Sequence, residues 1–295
     1  MRRILVAVRQ PSAPPSDALI KAAQLARGLR AELRLFHAIE LPMLADAYSD
    51  DQRRLGDDED SIRRQLQRDL EALAMPLRAQ GLTVEVAAEW DFPASEAILR
   101  HAWHCKSDLL VIGQSPRARM HSTVAQLIRR SPGSVLLVKT PAPYQAPVVL
   151  AAVNARRTPR PARDLDGRIY DMAQSMGKAL KGSWIIVKTR RWPGWQRARA
   201  PGVAAVPRIT GRPGPAILDV ARLQKAQIIV MGASTRSLAM RLIPHGSPEQ
   251  IIERAPMDVL VIKPESFGRH FSSQVRGAHI LSVGTPTVGW RDPGF

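Results

Sequence analysis

Apolar and polar positions alternate along this chain in two periods, and the periods change places repeatedly. Ile4 to Val8 is a short unbroken apolar run, as a parallel strand buried on both faces would be. Asp17 to Leu29 then carries Leu19, Ala22, Ala23, Ala26 and Leu29 at helical spacing. Leu33 to His37 is a second strand. An acidic run, Asp57 to Ser61, stands just before a helix bearing Ile62, Leu66, Leu70 and Leu73, where acids favour a helix N-terminus. Strand TVEVAAEW, helix Ser95 to His104, strand LLVIG, a further helix and strand VLLVK follow. Strands alternating with amphipathic helices predict a parallel sheet covered on both faces.

The chain is then written a second time. RRSPGSVLLVK, from Arg129, matches ERAPMDVLVIK, from Glu253; HSTVAQLI matches HGSPEQII; SDLLVIGQS matches AQIIVMGAS; ILVAVR matches VLAAVN. These units are far longer than a solenoid repeat, so they predict two domains of one fold. The boundaries read as a first domain over 1–141, a linker over 142–146, a second domain over 147–264 and a tail over 265–295. The tail has no counterpart after Lys139 and is expected to lie outside the repeated fold. After WIIVK, the segment TRRWPGWQRARAPG stands where the first half has a long helix, and its tryptophans are expected to plug the groove left there. The terminal strands, residues 135–138 and 259–262, are short apolar edges that should pair, because exposed edges of this kind are covered or paired.

Composition narrows the function. No apolar run approaches the roughly 18 residues that span a bilayer. The basic, then apolar, start MRRILVAVRQP has no small-residue cleavage site and reads as the first strand. A single cysteine, Cys105, excludes an internal disulfide and fits a reducing cytoplasm. The formal net charge is +17, and it is lopsided: residues 1–145 hold 20 Lys and Arg against 17 Asp and Glu, whereas the rest holds 23 against 9. That excess, with Trp192 and Trp195 among arginines, admits a nucleic-acid partner.

The candidate chemistry sits where a strand ends in glycine. The run Ile228 to Met231 stops at Gly232, and Gly246-Ser247-Pro248-Glu249 opens a helix with a cap, a first-turn proline and an acid. A strand, a glycine turn and a free helix N-terminus can hold an anion through backbone N–H groups, and they can equally serve as a plain turn. Among the histidines, His37 ends a strand, His101 and His104 share one helix without a third metal ligand, and His121 and His245 occupy matching positions before helix caps. No paired carboxylates and no nucleophile–base arrangement stand out, so dedicated catalysis is not expected.

Taken together, ILVAV, VLAAV, AILDVARLQKAQIIVMGAS, the Gly-Ser before a helix and RAPMDVLVIKP resemble the universal stress protein family, specifically its tandem two-domain members. The resemblance implies an α/β fold of two doubly wound domains, each with a mainly five-stranded parallel sheet, packed as a pseudo-dimer through their last strands. It implies a cytoplasmic stress-response protein that works through ligand or protein partners, with further homodimerisation left open and no membrane. Some members bind ATP, using an aspartate at the end of the first strand and a Gly-x-x-Gly loop followed by Gly-Ser or Gly-Thr. Here Arg9 and Asn154 replace the two aspartates; arginine cannot accept a hydrogen bond, whereas asparagine can. In the second half Gly232, Gly246 and Ser247 remain, but Thr235 takes the intermediate glycine position and the spacing is stretched. In the first half Gly113 remains, Pro116 replaces the next glycine, and Ser122-Thr123 replace Gly-Ser after a shorter loop. The resemblance therefore points to ATP or another adenine nucleotide, weakly bound if at all, beside Asn154, Met231, Gly232, Gly246 and Ser247, with Arg236 and Arg241 as further charge in the loop. Slow ATP hydrolysis, a nucleic-acid-associated role and a scaffold with both sites degenerate stay open.

Overall fold

The computed structural model describes residues 1–39, 52–114, 122–153, 160–188, 203–204, 213–233 and 248–263. Its first half runs β1 (Arg3–Ala7), α1 (Asp17–Leu29), β2 (Glu32–Ile39), α2 (Gln52–Ala79), β3 (Val84–Trp90), α3 (Ala94–His104), β4 (Leu109–Gly113), α4 (Ser122–Arg130) and β5 (Ser134–Val138). The second runs β6 (Val148–Val153), α5 (Arg160–Ala179), β7 (Ser183–Lys188), β8 (Val203–Ala204), α6 (Pro213–Leu223), β9 (Ile228–Gly232), α7 (Pro248–Arg254) and β10 (Asp258–Ile262). All ten strands lie in one sheet, ordered β3-β2-β1-β4-β5-β10-β9-β6-β7-β8. Within each half the pairing is parallel, and β1 or β6 is the point from which the strand order departs in both directions.

The join is between the last strands, as their exposed apolar edges require. β5 and β10 pair antiparallel, with Val259 opposite Leu137, Leu260 opposite Leu136 and Val261 opposite Val135. Every residue of both strands is buried. Alternate residues of each strand feed two apolar layers. One joins α1, α2 and α5 through Leu25, Leu70, Ala173 and Met176; the other joins α3, α4, α6 and α7 through Leu99, Leu127, Leu218 and Ile252. Both layers run across the seam, so the two domains share their cores.

One expectation is corrected. The acidic run Asp57 to Ser61 lies inside α2, which begins at Gln52, rather than ahead of it. Leu55 stands one heptad before Ile62, so the apolar spacing continues back through the acids, and Asp60 pairs with Arg63 one turn on at 2.7 Å. The tryptophan-containing segment after β7 and the tail lie outside the described residues.

Four helices close in the same way. Arg30, Lys106, Lys181 and Lys225 adopt left-handed backbone, with φ of 53°, 50°, 55° and 50°. The next amide donates back to the helix in each case: Ala31 to Ala26, Ser107 to Ala102, Gly182 to Gly177 and Ala226 to Ala221, at 2.8–3.0 Å. A side chain is unfavourable in that backbone region, and all four residues are exposed. Replacing each by glycine is expected to raise stability by roughly 0.5–1 kcal/mol. Thermal unfolding of the four single variants measures it.

Candidate functional site

In a doubly wound sheet, ligands bind beyond the carboxyl ends of the strands where the order reverses. In the second domain that point lies between β6 and β9, whose register sets Ala152 opposite Met231 and so brings the chain ends at Val153 and Gly232 side by side. Of the five residues singled out in the sequence, Met231 and Gly232 belong to the described residues. Asn154, Gly246 and Ser247 lie outside them, as do Thr235, Arg236, Arg241, His121 and His245.

The two described residues are already engaged by the fold. Met231 is buried, with its side chain in the layer beneath α6 and α7, so only its backbone faces the strand end. A Cβ on Gly232 would stand 2.7 Å from Leu165 Cδ2 and 3.2 Å from Ile169 Cδ1, both on α5. A side chain here would have to displace the ends of Leu165 and Ile169, so the close packing of α5 favours glycine independently of any phosphate. The following amide, on Ala233, donates to the Ile262 carbonyl at 2.8 Å.

Leu165 reaches this position because α5 is long. The matching C-terminal caps make Lys181 the counterpart of Arg30, which makes Arg168 the counterpart of Asp17, where α1 begins behind its Ser16 cap. The turns of α5 before Arg168 therefore have no equivalent in α1, and they bring Leu165 against Gly232, the last residue of β9. In the first domain, a Cβ on Gly113 would meet, among the described residues, only Ala18 Cβ, at 3.5 Å. Arg9 there is exposed at the end of β1, and the Gln114 amide is taken by the Val138 carbonyl at 2.8 Å.

Of the other candidates, His37 and His101 have structural partners. His37 Nδ1 lies 2.8 Å from the Val8 carbonyl, which can only accept, so that nitrogen carries the proton. His101 stacks on Phe36 with ring centroids 4.3 Å apart and bonds Glu89 at 2.8 Å. No cluster of three metal-ligating side chains occurs among the described residues. Burial raises the pKa of the Cys105 thiol, which disfavours the reactive thiolate.

Sequence reading missed the polar centre of the molecule, which lies at the seam. Lys21, on the apolar face of α1, meets Asp258 of β10 at 2.7 Å, and Tyr144 of the connecting segment donates its hydroxyl to Asp258 at 2.7 Å. Burial, reinforced by the Asp258 carboxylate, raises the Tyr144 phenol well above its ordinary range. The lysines that end the terminal strands cross over. Lys139 donates to the Ile252 and Ala255 carbonyls at the end of α7, and Lys263 donates to the Arg129 carbonyl at the end of α4, at 2.9 Å. Burial lowers both amines, Lys263 to about 7; for Lys139, Asp258 and Glu253 oppose the shift. The signal was present in the sequence: Lys21 interrupts an apolar stripe, and Lys139 and Lys263 recur at one position of the repeat.

The universal stress protein family model matches the chain twice, over residues 1–139 and 142–263. No curated protein matches it. Among solved structures, it is similar to a functionally unknown protein from Pseudomonas aeruginosa PAO1, at 19% identity over 94% of this chain and 97% of that one, with a TM-score of 0.70. A protein of Pseudomonas aeruginosa UCBPP-PA14, described as a universal stress protein, gives 19% identity, 93% and 98% coverage and a TM-score of 0.69. A universal stress protein from Archaeoglobus fulgidus gives 17% identity, 88% and 96% coverage and a TM-score of 0.60. At these identities the likeness establishes a shared architecture. Among the described residues, no helix is long and apolar enough to cross a membrane.

Proposed function

Since this chain belongs to the universal stress protein family, we propose that it is a cytoplasmic stress-response protein that works by binding rather than by catalysis. An adenine nucleotide, where one binds, occupies the second domain beside Asn154, Met231, Gly232, Gly246 and Ser247, and binds weakly. The domains span 1–141 and 147–264, joined by 142–146 and followed by a tail over 265–295.

The observation that carries this reading is the contact of Leu165 with Gly232. It sets an apolar side chain of α5 against the last residue of β9, where a phosphate loop would begin, and the Ala233 amide already has an acceptor. Losing two charge-assisted contacts, at roughly 1.5–3 kcal/mol each, lowers affinity by about two to four decades. Asn154 retains a hydrogen-bond acceptor, which Arg9 lacks, so the second domain is favoured over the first.

Calorimetric titration with ATP tests this. The natural chain is expected to bind weakly, Leu165→Ala to bind several-fold tighter, and Gly246→Val to lose binding. Micromolar affinity that survives Gly246→Val would place the site elsewhere, and tight binding in the first domain would refute the assignment. A nucleic-acid role is the second reading, supported by the arginine excess beyond residue 145. It requires retention on DNA or RNA that falls steeply with added salt, because phosphate contacts release counterions.

A further inference from the structure

Among the described residues, a buried ion pair occurs at one place, and it is shared between the two domains. Lys21 is 1% exposed and Asp258 0%. Asp258 Oδ1 accepts from the Lys139 amide at 2.8 Å, the Thr140 amide at 3.0 Å and the Thr140 hydroxyl at 2.9 Å. Its Oδ2 accepts from Lys21 Nζ and Tyr144 Oη, both at 2.7 Å. Lys21 also donates to the Thr140 carbonyl at 2.7 Å and its hydroxyl at 2.6 Å, and lies 4.7 Å from the centre of the Tyr144 ring. Gln24 of α1 holds the Tyr144 backbone through two hydrogen bonds, at 2.8 and 3.0 Å. Among the described residues, the donors to the Asp258 side chain therefore all come from the first domain and the connecting segment, and the carboxylate comes from the second.

The repeat shows what each half would offer to a copy of itself. The helix caps make Met172 the counterpart of Lys21. The terminal strands, SVLLV and DVLVI, make Ser134 the counterpart of Asp258, and Pro264 the counterpart of Thr140. Two first domains joined through β5 would bury two Lys21 amines opposite Ser134, with no carboxylate. Two second domains joined through β10 would bury two Asp258 carboxylates opposite Met172, and Pro264 has no amide hydrogen to give them. Leaving a buried charge unpaired is strongly unfavourable, whereas replacing both partners by neutral groups is often tolerated. In other respects the two strand edges are nearly interchangeable.

We propose that the Lys21–Asp258 pair makes the seam selective: the seam face of each domain fits the other domain of the same chain and rejects a second copy of itself. The pair chooses the partner, while the apolar layers supply the adhesion.

Refolding the full chain over a range of concentrations tests this. Each charged residue is replaced by its own counterpart, giving Lys21→Met, Asp258→Ser and the double variant. Each single variant is expected to unfold at lower denaturant than the natural chain, and the double variant to recover most of that loss. The natural chain is expected to refold to monomer at every concentration. The double variant should instead give a mixture of monomer, dimer and longer chains, shifting with concentration, as light scattering after gel filtration reads directly. A double variant that refolds wholly to monomer would overturn the proposal. So would one that is no more stable than the single variants, since the pair would then hold the seam rather than select it.

Discussion

Gly28→Ala is expected to lower stability by about 3 kcal/mol, and Gly28→Val to prevent folding, because overpacking of this kind meets backbone rather than a movable side chain. Gly28 lies in the last turn of α1, against the C-terminal end of α5. A Cβ there would stand 2.8 Å from the carbonyl carbon and 2.9 Å from the Cβ of Ala179, and nearer still to its oxygen. The helices could separate only by pulling apart the apolar layer that both domains share, which includes Leu25, Ala173 and Met176. Gly167→Ala, also in a helix, is the control. A Cβ at that position meets none of the described residues within 4 Å, so alanine should stabilise by about 0.5–1 kcal/mol. Denaturant unfolding of the two alanine variants separates them; equal midpoints would mean that α1 and α5 do not approach closely in solution.

The second large effect is a rise in stability with pH. Burial lowers the Lys263 amine to about 7, whereas an unfolded lysine titrates near 10.4. Between those values the unfolded chain holds a proton that the folded chain lacks, so stability must climb as pH rises through the window. Below about 7 the folded chain also carries the charge inside the core, and the full penalty applies. At about 1.4 kcal/mol per unit, the gain from pH 7 to about 9.5 amounts to a few kcal/mol. Lys139 is lowered in the same direction and adds to it. The range should end below about pH 10, because Tyr144 is raised on folding and opposes the trend above its unfolded value. Lys263→Met, which has no amine to titrate, should rise less with pH than the natural chain. Denaturant unfolding at the two pH values checks both statements; a natural chain that loses stability toward pH 9.5 would contradict them.

The fold was legible because it is written in local patterns and written twice. The helical spacing of apolar residues placed α1 over Asp17–Leu29, and the exposed edges of the two terminal strands required the partner that β5 and β10 give each other. The start of α2 was misplaced because acids are as acceptable inside an exposed helix as before one. The site was less legible. A glycine at the end of β9 is compatible with a phosphate turn and with close helix packing, and the approach of Leu165 is visible only in space. Sequence spacing could not show that α5 reaches the strand end, because the apolar stripe that marks a helix does not fix where its first turn stands. The polar centre of the seam escaped for another reason: Lys21 and Asp258 are separated by most of the chain, and a lone lysine on an apolar helix face carries no indication of its partner.

Native mass spectrometry of freshly purified protein tests most directly whether the second-domain site retains a nucleotide. The expected result is the mass of the bare chain, since a ligand held without the aspartate and the loop glycine that Asn154 and Thr235 replace would be lost during purification. A stoichiometric adenine nucleotide retained on the protein would contradict weak binding and show that the site is built for its ligand.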